Sequence, residues 1–191
     1  MDEKKEETFY SDTKLIDDFT ANRNVLLCGT ITSKLATQIM IIMLKLEQID
    51  PYAPINLYID SPGGDVRAGL AIIDTMNSIK CPVNTFCYSL AASMAAVILA
   101  AGKERYAFEH SEIMIHQPLT PMEGVYKQTD LSARANSLEK SRKQLEELLT
   151  SFTKGKTEYN AMHAACEKDN YLTPEEALEM GLIDKVVKKE K

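Results

Sequence analysis

The sequence predicts an α/β fold built on a largely parallel sheet. Short apolar runs alternate with amphipathic stretches of helical period, the pattern of strands laid down between covering helices. Glycine and proline punctuate the junctions. The chain has 191 residues, of which 45% are hydrophobic and 26% charged. That is enough for one domain with a substantial core, and the balance excludes a disordered, fibrous or low-complexity chain.

The elements follow in order. Residues 1–20 are polar and charged and read as an arm, with Leu15, Ile16 and Phe19 at helical spacing to dock its end. The single folded domain occupies residues 21–191. Residues 25–28 are a short apolar strand ending at Gly29, and Thr32 or Ser33 can cap a helix that turns Ile39, Ile42, Met43 and Leu46 inward. Residues 55–59 form the next strand, Ser61-Pro62-Gly63-Gly64-Asp65 a tight turn, and residues 68–79 a helix with Leu70, Ile73 and Met76 inward. Residues 82–87 repeat the strand, 89–92 the turn and 93–101 a helix apolar on every side, which predicts burial. Two short strands follow at 106–108 and 113–115. A long, mostly polar helix from Asp130 to about Phe152 carries Leu131, Leu138, Leu145 and Phe152 every seven residues, a thin stripe suited to an interface or to lying on the domain. Thr173-Pro174-Glu175-Glu176 has the makings of a capping box, Gly181 closes that helix, and 182–187 is the last strand.

Composition narrows the function. Lys and Arg total 22 against 28 Asp and Glu, a net charge of −6, so the positive field needed for nucleic-acid phosphates is missing. The longest apolar stretch, 90–101, is interrupted by Ser93 and falls well short of the roughly 20 residues that span a bilayer. Met1-Asp-Glu-Lys-Lys-Glu-Glu7 lacks the apolar segment of a signal peptide, which points to the cytoplasm. Cys28, Cys81, Cys87 and Cys166 have neither metal-site nor disulfide-scaffold spacing and read as reduced, mostly buried thiols. No phosphate-binding loop, dinucleotide fingerprint or H-E-x-x-H pattern occurs, so neither nucleotide nor metal chemistry is expected.

Any imidazole base must be His110, His116 or His163. His116 ends an apolar strand just before Gln117-Pro118, at the carboxyl edge where α/β folds place their sites, and is favoured. Ser93 sits where a strand unit meets the buried helix, so the positive helix end and the Met94 amide would face an oxyanion near its hydroxyl. The same position suits a plain helix cap, and the G-x-S-x-G elbow is absent. Gly63-Gly64 is likewise either a turn or a place for backbone amides to approach a ligand.

Four motifs taken together are more specific. Tyr58-Ile-Asp-Ser-Pro-Gly-Gly64, Ala91-Ala-Ser-Met-Ala95, Met114-Ile-His-Gln-Pro-Leu119, and Lys168-Asp-Asn-Tyr171 followed by Glu175-Glu-Ala and Gly181-Leu-Ile-Asp184 stand in the order found in Clp proteases. Over residues 23–187 the chain resembles the proteolytic subunit of that family. The resemblance implies a ClpP/crotonase-like fold of repeated ββα units with a protruding handle helix at about 130–154. It implies a serine endopeptidase with Ser93 as nucleophile, His116 as base and Asp169 as the carboxylate that orients the imidazole. The residues alone would not prefer Asp169 over Asp184 or Asp130. The implied oxyanion hole is the pair of backbone amides of Gly64 and Met94. Two stacked heptameric rings, a tetradecamer, would enclose a chamber for unfolded polypeptides, fed by a hexameric AAA+ unfoldase of the ClpX, ClpA or ClpC type. ATP would belong to that partner, and this chain would need no cofactor.

The chain departs from the family pattern in four places. Ser89 replaces a glycine, which is tolerable where φ is negative. The strand after His-Gln-Pro-Leu, Thr120-Pro-Met-Glu-Gly124, is about two residues longer, and Pro121 removes a donor. Glu167 and Lys168 stand where an acid and an arginine usually pair across the rings, and lysine cannot form the bidentate fork. The charged arm replaces an apolar axial segment. These departures leave open a weakly active or structural paralogue that needs a companion isoform in mixed rings. A crotonase-like acyl-CoA enzyme shares the two-amide hole but would not need Ser93, His116 and Asp169 together.

Overall fold

The computed structural model describes residues 13–120 and 124–189. Helix α1 (Thr13–Ala21) leads into β1 (Asn24–Cys28), α2 (Ser33–Ile49), β2 (Ile55–Ser61), α3 (Val66–Ser78), β3 (Val83–Ala92) and α4 (Met94–Ala100). Then come β4 (Arg105–Phe108), β5 (Glu112–Ile115), α5 (Gln128–Phe152), α6 (Tyr159–Ala165), β6 (Asn170–Leu172), α7 (Pro174–Met180) and β7 (Lys185–Val187). The expected arm therefore ends in a helix, and Phe19 packs against Tyr58 with ring centroids 5.7 Å apart. Residues 1–12 lie outside the described residues.

The strands run in the order β1-β2-β3-β4-β7, all neighbours parallel, with β5 joined to β3 and β6 to β5. Strand β2 shows why this is an α/β layer: Ile55, Leu57, Ile59 and Ser61 are buried while the residues between them are half-exposed. The buried face packs on α2, α3 and α4, whose Ile39, Met43, Ile72, Ile73, Ile98 and Leu99 fill one core. On the other face Tyr58, Phe86 and Tyr106 stack in a row across three strands. Helix α2 begins at Thr32, whose hydroxyl accepts from the Leu35 amide, and Asp65 caps α3 by accepting from Ala68. All seven residues of α4 are buried, as its all-round apolar sequence predicts. Leu70, expected inward, is half-buried.

Two local expectations are corrected. Residues 89–92 are not a turn: β3 runs on to Ala92 because it changes partner, residues 85–87 pairing with β4 and residues 90–92 with β5. Ser89 lies exposed at that change, outside the positive-φ residues, so glycine's freedom is not needed there. The three-residue strand β6 was not foreseen at all. It pairs antiparallel with β5, the one reversal in the described sheet.

The buried Arg105 locks the far end of the sheet. Its guanidinium donates to Asp184 Oδ1 and Oδ2 at 2.6 and 2.8 Å and to the carbonyls of Phe152 and Gly181. It thereby ties β4 to the ends of α5 and α7. These bonds hold the Asp184 carboxyl well below the usual aspartate range. Because the folded value is depressed, the stability it contributes is present above about pH 4 and is lost as the pH falls below it. Arg105→Met removes the buried partner of a pair whose aspartate reaches solvent, together with its bonds to the Phe152 and Gly181 carbonyls, and should cost roughly 1–3 kcal/mol in urea unfolding at neutral pH. The variant should also lose part of the wild-type stability decline below pH 4.

Candidate active site

The site is assembled at the carboxyl ends of β2, β3 and β5. Ser93 joins β3 to α4 with φ 57° and ψ −124°, a conformation that side-chain-bearing residues seldom adopt. Its hydroxyl makes no capping bond to the helix, so the cap reading does not hold. Its amide donates to the Met114 carbonyl at 2.8 Å, which pins the turn to β5. The sharp strand-to-helix turn of a nucleophile elbow is thus formed without the elbow glycines.

The Gly63-Gly64 turn presses against this corner. A Cβ on Gly63 would lie 2.7 Å from both the Ala92 carbonyl oxygen and the Ser93 Cβ. Gly64 has φ 150°, and a Cβ there would sit 2.4 Å from the Ile31 carbonyl oxygen. Both neighbours of Gly64 are tied to Ile31: the Ile31 amide donates to the Gly63 carbonyl, and the Asp65 amide to the Ile31 carbonyl. Among the described residues neither the Gly64 nor the Met94 amide has an acceptor. Gly64→Ala should therefore displace this turn, destabilise the fold by about 1–3 kcal/mol and lower any reaction that relies on the Gly64 amide by at least about 100-fold. Kinetics and thermal unfolding on the same preparation would separate the two effects.

His116 directly follows β5 and is only 10% exposed. Its Nε2 lies 2.8 Å from Ser93 Oγ and its Nδ1 3.0 Å from Asp169 Oδ1. The antiparallel register sets Ile115 opposite Asn170, so His116 and Asp169 face each other one residue further on. Gln117 fastens this junction, donating from its backbone to the Cys166 carbonyl at 2.8 Å and from its side chain to the Glu167 carbonyl at 2.9 Å. A proton on Nδ1, facing the carboxylate, leaves the Nε2 lone pair for the serine hydroxyl. The rival carboxylates are placed elsewhere: Asp184 is held by Arg105, and Asp130 is in the first turn of α5. His110 lies in an exposed turn, and His163 bonds Glu146.

Beside Ser93 a cavity of about 270 Å³ runs between α4 and α5. Its walls are mainly apolar, with Val97, Leu145 and Leu149 among them, and Arg142 and Glu146 are also in its lining. The sequence reading missed these two polar residues. The stripe Leu131, Leu138, Leu145, Phe152 points to one face of α5, but the docked face also holds positions 142, 146 and 149, four and seven residues on from Arg142. Helical spacing alone could have found them. Burial raises the Glu146 carboxyl, and hydrogen bonds from Arg142, His163 and Tyr159 outweigh it, leaving the group below its ordinary value. Burial also pushes the Cys166 thiol up to about 12, so it stays neutral. All four cysteines are free thiols, with Cys28 the least buried. Among the described residues no three His, Cys, Asp or Glu side chains gather as metal ligands would.

Glu167 bonds Arg142 of its own chain at 2.6 Å. Of the lengthened segment after Leu119, residues 121–123 lie outside the described residues.

Comparison with known proteins bears on the same stretch of chain. The family model described as Clp protease matches residues 4–190. The ATP-dependent Clp protease proteolytic subunit of Bdellovibrio bacteriovorus is 42% identical over 173 residues, covering 89% of this chain and 81% of that protein. With the fold and with the family match extending over nearly its whole length, this chain belongs to the Clp protease family.

Proposed function

We propose that this chain is a serine endopeptidase subunit in which Ser93 attacks the peptide carbonyl while His116 Nε2 takes the hydroxyl proton. The negative oxygen that forms is met by the Gly64 and Met94 amides. Collapse expels the amine, which receives the proton from His116, and leaves an acyl group on Ser93. Water then attacks with His116 again as base, releasing the acid and restoring Ser93. Asp169 keeps the imidazole in the useful tautomer and steadies its positive form. The observation that carries this reading is the unbroken relay from Ser93 Oγ through His116 to Asp169, at 2.8 and 3.0 Å. The Gly64 and Met94 amides, without an acceptor among the described residues, support the oxyanion assignment.

In this reading the chain uses no cofactor, and ATP is consumed by a separate AAA+ unfoldase that threads unfolded polypeptides into a chamber of two stacked heptameric rings. The exposed first ten residues of α5, 128–137, support a ring contact, since a helical end that buries so little of its surface gains little on its own. Glu167 and Lys168 adjoin Asp169 and are assigned to the contact between rings. Lys168→Arg restores a planar fork and should raise the double-ring fraction seen by native mass spectrometry. The unpaired cysteines are in keeping with the cytoplasm. Among the described residues no helix is long and apolar enough to cross a membrane.

The test is degradation of an unfolded protein by the purified chain, with and without a family unfoldase and ATP, beside cleavage of a short fluorogenic peptide. Peptide cleavage without ATP, and protein degradation that requires the unfoldase with ATP, are expected. Peptide cleavage that itself requires ATP would contradict the division of labour.

A further inference from the structure

The cavity beside Ser93 carries a chemical preference that its apolar walls alone would not give. Arg142 and Glu146 stand one helical turn apart on α5 and both line it. Glu146 is almost wholly buried and its oxygens are taken: Oε1 accepts from Arg142 Nε at 2.8 Å, and Oε2 accepts from the Tyr159 hydroxyl at 3.1 Å and faces His163 Nδ1 at 2.8 Å. It has little left to offer a cationic side chain. Arg142 is differently placed. Its Nη2 donates to Glu167 at 2.6 Å and faces the His163 ring, while Nη1 has no acceptor among the described residues. Its side chain is 14% exposed, so those donors lie in a largely enclosed wall.

Ser93, Met94 and Val97 line the same cavity as Arg142, so a substrate side chain held beside Ser93 shares it with both an apolar wall and this arginine. An apolar stem with an acceptor oxygen at its tip satisfies both surfaces. A carboxylate tip is disfavoured, because Glu146 and Glu167 already face the same guanidinium with two negative charges. We infer that Arg142 makes this cavity a subsite for an amide-tipped side chain, glutamine above all, in the residue whose carbonyl Ser93 attacks.

The inference rests on the assignment of Ser93 as nucleophile, and the test separates the two. Peptidyl diphenyl phosphonates with glutamine, methionine, glutamate or lysine side chains in that position would be compared by their rate of covalent labelling of the full-length chain. Glutamine should label fastest, about tenfold ahead of methionine, as a hydrogen bond from a charged donor allows. Arg142→Met alone would strand buried Glu146, so the informative variant is the double replacement Arg142→Met with Glu146→Met, an apolar exchange of the pair. It should reverse the order to methionine over glutamine while still labelling at Ser93, which shows that it folds. Methionine, glutamate or lysine preferred by the wild type, or a glutamine preference unchanged in the double variant, would overturn the inference and leave the peptidase reading intact. No labelling by any of the four would overturn both.

Discussion

Ser93→Ala is expected to reduce peptide hydrolysis by roughly 10⁴-fold or more while leaving the fold unchanged. The size of the effect follows from the relay. Once the oxygen is gone, His116 has nothing to deprotonate that can form an acyl intermediate, and only binding and the two amides remain to assist water. The fold is spared because the Ser93 hydroxyl makes no capping bond, and the strained turn is held by the Ser93 amide on Met114 and by Gly63 at van der Waals range. Alanine keeps all of these. Its melting temperature should match the wild type within about 2 °C, since the half-buried hydroxyl that is lost caps no helix and among the described residues bonds only His116. A large loss of both activity and stability would mean that Ser93 serves the structure.

Asp169→Asn should lower kcat by about 10³-fold to 10⁴-fold with little change in KM. An amide in place of the carboxylate can turn its NH₂ toward Nδ1. That favours the tautomer with the proton on Nε2, which cannot accept from Ser93. Asp169 is 62% exposed, so water can partly replace it and the smaller end of the range is expected. Steady-state kinetics across pH 6 to 9 would check this. An effect confined to KM would instead place Asp169 in substrate binding.

Much of the architecture was legible because it is written in local periodicity. The strand, glycine turn and helix of residues 55–78, the caps at Thr32 and Thr173 and the buried helix after Ser93 all depend on neighbours a few residues away. What was not legible depends on distant pairing. Asp169 reaches His116 across 53 positions, through a strand of three residues too short to show a period. From the residues alone Asp130 and Asp184 were its equals, and only family resemblance separated them. Arg105 meets Asp184 across 79 positions, so nothing near either residue announces that the aspartate is structural. The positive φ of Ser93 was hidden for a different reason. The close contact with Gly63 and the bond to Met114 impose it from outside, so the local Ala-Ala-Ser-Met sequence carries no glycine to mark it. Arg142 and Glu146 stand as an i, i+4 pair beside the stripe residue Leu145 in one cavity wall, but a seven-residue repeat marks only one position in every two turns and so passes over both.

The central claim is that Ser93 is a nucleophile activated by His116, and site-mapped labelling tests it most directly. The wild-type chain, Ser93→Ala and His116→Ala would each be treated with a fluorophosphonate and digested for mass spectrometry. A single adduct on the peptide holding Ser93, absent in Ser93→Ala and formed at least about 100-fold more slowly in His116→Ala, is the predicted result. An adduct on another residue, or equal labelling of Ser93 with and without His116, would contradict it.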